Sequence, residues 1–136
     1  MVFEILRLEN IVGSIDDSRF IKAAGMMGKL YPEEYDSNRV IGAVNSGDYI
    51  SVLDALGQFR VKMEGEMTML DSINKEFETR SLGFPPHYSQ AVQVSPLSLI
   101  MSKIDRVLYV NDKMMEYAGM KAFPRRTEMV QENLLG

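Results

Sequence analysis

Hydrophobic residues recur every three or four positions between Ser95 and Gly119, which is the spacing of one face of an α-helix. Ser95 suits the N-cap position, and Pro96 suits the first helical position because its missing N–H would be unsatisfied there anyway. Gly119 is predicted to end the helix in the left-handed conformation that glycine adopts readily. The predicted inward face consists of Leu97, Ile100, Met101, Ile104, Val107, Leu108, Asn111, Met114, Met115 and Ala118. Since only Asn111 among these is polar, the face is predicted to be a packing surface.

A second and longer helix is predicted from Tyr49 to about Arg80, with Asp48 as its N-cap. Its apolar series advances in steps of three or four through Tyr49, Leu53, Leu56, Phe59, Met63, Met67, Leu70, Ile73 and Phe77. A helix of this length would measure about 48 Å at ~1.5 Å per residue. Gly57 and Gly65 each weaken a helix by up to about 1 kcal/mol relative to alanine. A bend or break at either glycine therefore stays open.

Shorter helices are predicted on both sides of this element. Asp16, Asp17 or Ser18 can cap a helix near residues 18–31, whose apolar positions repeat at helical spacing. Ala24 and Gly28, four residues apart, would let another backbone approach this helix closely. Residues 33–47 are predicted to form a connector with a short helix. After the Phe123-Pro124 turn, residues 126–134 can form a last helix with Met129, Val130 and Leu134 inward.

Together these patterns predict an all-α fold in a single helical domain of residues 1–136. The expected shape is an elongated hairpin or bundle built on helices 49–80 and 96–118. Residues 2–12 fit neither the helical nor the strand period cleanly and are predicted to be helical. Segments 1–15 and 119–136 are predicted to be tails that contact partners. At 136 residues and 46% hydrophobic content, the chain is long enough to form a core.

Composition argues against several functional classes. The net charge of −4 argues against nucleic-acid binding by bulk electrostatics, because such binding needs clustered Lys and Arg. Lys121, Arg125 and Arg126 do gather near one end, where a solvated segment is the favoured interpretation. Without cysteine the chain has neither disulfides nor thiolate metal sites. No apolar run approaches the ~20 residues that span a bilayer, and the N-terminus lacks a basic signal-peptide start. The protein is expected to be soluble and not exported by a signal peptide, lying in the cytoplasm or assembled in a virion.

Recognised catalytic and cofactor motifs are missing from the sequence. His87 is the only histidine, so a catalytic triad or histidine metal site would depend on one residue in a proline-rich loop. Neither a Gly-x-Gly-x-x-Gly nor a P-loop pattern occurs. The sequence therefore predicts no catalytic residue, no cofactor and no metal.

Carboxylates are the one group that could form a site. Glu64 and Asp71 lie seven residues apart on the long helix, and Asp112 and Glu116 lie four apart on the later one. On opposed antiparallel helices, these four residues could hold Mg²⁺ through oxygen ligands. The arrangement resembles in outline the all-α nucleoside triphosphate pyrophosphohydrolases, whose Glu-x-x-Glu and Glu-x-x-Asp pairs hold magnesium against substrate phosphates. The resemblance implies an Mg²⁺-dependent enzyme as an alternative, although the spacing from Asp112 to Glu116 is one residue longer than that family's pattern. A solvated acidic face is the ordinary interpretation.

Assembly is the expected function, because the chain has more apolar helix faces than one molecule of this kind needs for its core. Many of its eleven methionines lie on or beside these faces, and methionine suits both cores and adaptable interfaces. We expect a non-enzymatic structural subunit that binds copies of itself or other protein subunits, for example a head-to-tail connector or tail accessory protein of a bacteriophage. A small helical adaptor is a further alternative. The residues predicted to form interfaces are Leu56, Phe59, Met63, Met67, Leu70, Ile73 and Asn111.

Overall fold

The computed structural model describes residues 2–81 and 96–124. Across these residues the chain forms five α-helices and no strand, which confirms the predicted all-α class. The helices are α1 (Val2–Val12), α2 (Asp17–Leu30), α3 (Ser37–Asn45), α4 (Tyr49–Ser81) and α5 (Pro96–Ala122).

Aspartates begin three of these helices. Asp16, Asp36 and Asp48 each accept a hydrogen bond from the backbone N–H three residues later, at 2.8, 3.1 and 3.1 Å. Each bond satisfies one of the N–H groups that a helix start leaves without a partner. Gly47, between α3 and α4, has a φ of 74°, a left-handed conformation that favours glycine.

The two long helices, α4 and α5, pack antiparallel along their lengths. The rings of Tyr49 and Tyr117 lie 6.5 Å apart between centroids, and the side chain of Asn111 reaches the backbone of Leu56. Contacts therefore run from the start of α4 and the end of α5 toward the opposite ends of both helices. Helix α4 continues without a break through Gly57 and Gly65.

The three short helices form a second layer over this pair. Helix α1 contacts α2 and α5, and α3 lies between α2 and α4. One core fills the space between the layers. Its buried apolar side chains are Ile5, Leu8, Ile11, Val12, Phe20, Ala23, Ala24, Met27, Tyr35, Val40, Ala43, Val44, Val52, Leu56, Phe59, Met63, Ile104, Val107, Val110, Met114 and Ala118.

Helix α3 approaches α2 closely at Gly28. A Cβ atom added there would lie 2.5 Å from Ser37 Oγ and 2.7 Å from Ser37 Cβ. The absence of a side chain at Gly28 is therefore what lets α3 begin against α2, in line with the predicted close approach.

The predicted end of the second long helix is wrong. Gly119 does not adopt a left-handed conformation, and α5 runs on to Ala122. The N–H of Phe123 still donates to the Gly119 carbonyl at 3.0 Å, so helical bonding passes through the glycine. Glycine permits a helix exit without requiring one, and the buried Ala118 packs this turn into the core. The helix predicted at 126–134 lies outside the described residues.

Candidate interaction surface

The six predicted interface residues on α4 fall into two groups. Leu56, Phe59 and Met63 are 0%, 1% and 0% exposed in the core of the single chain. Met67 and Leu70 are partly buried against that core, whereas Ile73 is 37% exposed. Contacts within the chain thus account for the burial of the first group. A role of these residues in association stays a prediction.

Asn111 is fully buried between the two long helices. Its Nδ2 donates to the Leu56 carbonyl oxygen at 3.1 Å and approaches Met115 Sδ at 3.7 Å. Its Oδ1 has no hydrogen-bond partner among the described residues. Within one chain, Asn111 thus provides a polar contact between α5 and α4. Its role as a polar specificity point in association stays a prediction.

The buried part of each long helix stops well before the helix does. Met63 is the last buried residue of α4 and Ile104 the first of α5, among the residues whose side chains are described. Because the helices are antiparallel, both limits lie at the same end of the molecule. Residues 64–77 and 97–103 therefore extend the hairpin beyond the fully packed core.

The helix faces that carry the core residues of α4 and α5 remain apolar in this extension. Ile73 lies fourteen residues after Phe59, and Phe77 lies fourteen after Met63, so each pair shares a helix face. Ile100 likewise precedes Val107 by seven residues. Residues equivalent to core positions are exposed here, so the extension presents a core-type apolar face that no side chain of the described residues covers.

We call the exposed apolar side chains of this extension the distal surface. Its members on α4 are Met69, Ile73 and Phe77, which are 58%, 37% and 49% exposed. Its members on α5 are Leu99 and Ile100, which are 67% and 46% exposed. Scattered single apolar residues need no explanation, whereas a group of them at one end of a hairpin is a candidate contact with another molecule.

A groove of about 440 Å³ adjoins the distal surface on the side of the short helices. Leu99 and Ile100 belong to both, so the two features are continuous. The remaining lining residues are Ile5, Tyr31, Glu66, Ser102, Lys103, Ile104 and Arg106. The groove is mostly apolar and could receive the side chains of a second helix.

Three charged side chains line the groove, namely Glu66, Lys103 and Arg106. Burial raises the pKa of the Glu66 carboxyl, and the nearby carboxylates of Glu34 and Glu33 raise that pKa further. Burial, together with Glu66 and Glu34, also raises the pKa of Tyr31 to about 12. Lys103 lies with its Nζ 5.7 Å from the Tyr31 ring centroid. The Glu66 side of the groove thus has three carboxylates, of Glu33, Glu34 and Glu66, and one ammonium group, of Lys103.

Arg106, on the opposite side of the groove, forms an ion pair with Glu9. This pair joins α5 to α1 and stabilises the wall that Ile5 contributes. The local charge of Arg106 is therefore already balanced within the chain.

The four carboxylates considered for magnesium binding do not meet at one point. Glu64 and Asp112 both pair with the guanidinium of Arg60, so a cationic side chain lies between them. The other two carboxylates pair within their own helices, Asp71 with Lys75 at 3.1 Å and Glu116 with Lys113 at 3.3 Å. Within residues 2–81 and 96–124, no three His, Cys, Asp or Glu side chains are grouped so that they could hold a metal ion. His87 lies outside those ranges.

A polar cluster joins three helix ends at the opposite end of the hairpin. Asp17, at the start of α2, accepts a hydrogen bond from the Tyr49 hydroxyl at 2.8 Å and another from the Tyr117 hydroxyl. These bonds hold the pKa of the Asp17 carboxyl below its usual value. The arrangement is structural, because it ties α2, α4 and α5 together.

The predicted interface residues do not include Met69, Phe77, Leu99 or Ile100 of the distal surface. Helical spacing placed Phe77 on an apolar face, but spacing cannot show where the covering layer ends. Met69 and Leu99 lie beside the apolar faces predicted from helical spacing, so no sequence pattern marked them as part of an interface. Their grouping follows only from the antiparallel pairing of α4 with α5.

None of the helices within the described ranges combines the length and the apolar character needed to cross a membrane. In comparisons with known proteins, no family model, no curated protein and no solved structure shows significant similarity to this chain.

Proposed function

We propose that this protein is a non-enzymatic assembly subunit whose distal surface binds other protein chains, copies of itself in the first place. One observation carries the proposal: the apolar lines of α4 and α5 continue past the core and remain exposed at Ile73, Phe77 and Ile100. Burying such side chains is worth about 25 cal/mol per Å² of apolar surface. Association that covers this face would gain this free energy.

The groove beside the distal surface supports the same function. It adds an apolar recess to an apolar stripe, a combination that suits a helix of a partner chain. Within this class, the narrower version is a virion component of a bacteriophage, such as a head-to-tail connector or tail accessory protein. That version stays a prediction.

Chromatography with light scattering tests the proposal. The measured mass of the wild type should exceed the 15.4 kDa of one chain and should increase with protein concentration. Ile73→Glu should shift the protein to the single-chain mass, because it places a charge in the middle of the distal surface. Val61→Glu is the matched control, since Val61 is 69% exposed on a different face of the same helix. A wild type that stays at 15.4 kDa up to about 1 mM would count against self-association.

A further inference from the structure

We propose that residues 125–136 of one copy bind the distal surface of another copy, so that the subunits associate head to tail. The inference rests on the proposed function and names the partner segment for the same surface. It is argued from the position of α5, from the sequence that follows it, and from the charge of the groove.

The position of α5 rules out docking of this segment, as a helix, on the distal surface of its own chain. Ala122 ends α5 about 33 Å from Ile100, at ~1.5 Å per residue. Between Pro124 and Met129 there is at most about 18 Å of extended chain. A helix that begins in this segment therefore cannot reach the distal surface of the same molecule. It can reach the distal surface of a second molecule placed at that end.

The sequence of the segment matches an apolar groove. Val130 and Leu134 are four residues apart, and Met129 is next to them, so a helix would gather the three on one face. Leu135 would lie on the opposite side of that helix. The expected contact is thus a short amphipathic helix in an apolar recess, a common mode of recognition.

Charge complements this fit. Arg126 precedes Val130 by four residues and so shares its predicted face. The groove contains Glu66 and Lys103, and Glu33 and Glu34 lie near the Glu66 carboxylate, so three carboxylates stand against one ammonium group on that side. A guanidinium brought there by the partner would balance an acidic group that burial makes costly to ionise.

Head-to-tail association predicts a specific result when two variants are mixed, because each interface uses two different patches of the chain. A chain with a defective distal surface still has an intact segment, and a chain with a defective segment still has an intact distal surface. Each variant should fail to assemble alone, and the two should pair when mixed. An interface built from two identical patches would not behave in this way.

Sedimentation velocity of full-length variants tests the inference. Val130→Ser combined with Leu134→Ser should raise the dissociation constant about a hundred-fold. Leu135→Ser, the matched control, should leave it unchanged. Arg126→Glu should raise it about ten-fold without removing apolar surface, which keeps the test valid if the double variant does not fold. An equimolar mixture of Ile73→Glu with the double variant should form a species of two chains.

The possible results separate the inference from the proposed function. If the double variant and Arg126→Glu assemble like the wild type while Ile73→Glu does not, the segment is not the partner and only this inference fails. Failure of the mixture to form a two-chain species, with both variants folded by circular dichroism, would also overturn it. A wild type that remains a single chain at every concentration would instead refute self-association itself.

Discussion

Asn111 Nδ2 donates a hydrogen bond to the backbone carbonyl of Leu56 across 3.1 Å, and both residues are completely buried. This side chain is the only buried polar one among the described residues. It joins the middle of α5 to the N-terminal third of α4. The bond therefore supports the antiparallel alignment of α4 with α5.

Replacing Asn111 with alanine should destabilise the protein by about 2 kcal/mol, because the substitution removes the hydrogen bond and leaves a cavity. Asn111→Leu should cost less, since leucine fills the space and leaves no buried amide oxygen without a partner. Urea unfolding followed by circular dichroism measures both values. An Asn111→Ala variant as stable as the wild type would show that the bond does not hold the helices together.

Two glycines of α2 should respond in opposite directions to the same substitution. Gly28→Ala should destabilise the protein by about 1–3 kcal/mol, because its Cβ would lie 2.5 Å from Ser37 Oγ. Gly25→Ala should stabilise it by up to about 1 kcal/mol, because a Cβ there meets nothing within 4 Å and alanine favours helix. Thermal unfolding measures both changes.

Ser37→Gly provides the internal check for this prediction. It removes the side-chain atoms that a Cβ at position 28 would strike, so the double variant should recover much of the loss caused by Gly28→Ala. Equal destabilisation with and without Ser37→Gly would place the cause elsewhere than in the α2–α3 contact.

The stability contribution of Glu66 should depend on pH. Its pKa is raised in the folded state, so ionising the carboxyl costs stability as the pH rises through that folded value. Below its unfolded pKa, near pH 4, the carboxyl is neutral in both states and the cost is absent. Glu66→Gln should therefore stabilise the protein at pH 7, by less than about 1 kcal/mol because the site is partly open to solvent. The gain should disappear near pH 4.

Urea midpoints at the two pH values measure this effect. Glu76→Gln is a suitable control, since Glu76 is exposed on the same helix. A gain of equal size at pH 4 and pH 7 would show that ionisation of Glu66 is not its cause.

The helices could be predicted from sequence because their signals are local. Asp16 and Asp48 act as caps where predicted, and the long helices follow apolar spacing. The end of α5 could not be predicted in this way. Gly119 offered a plausible exit, but burial of Ala118 and the bond from Phe123 to Gly119 carry the helix further.

The candidate site depends on information that a local pattern does not contain. Phe59 and Ile73 occupy equivalent positions on the same face of α4, yet one is 1% and the other 37% exposed. The difference arises from where the short helices end over the long pair. Likewise, Asp112 and Glu64 could be placed on helix faces, but their shared contact with Arg60 required the register between helices.

The most direct test of the central claim measures how accessible position 73 is to a thiol reagent. Because the chain has no cysteine, Ile73→Cys introduces a single reactive site, and Val61→Cys serves as the exposed control. If association covers the distal surface, maleimide labelling at position 73 should slow about ten-fold as protein concentration rises through the dissociation constant, while labelling at position 61 stays constant. A labelling rate at position 73 that does not change with concentration, whether it is fast or slow, would contradict the account.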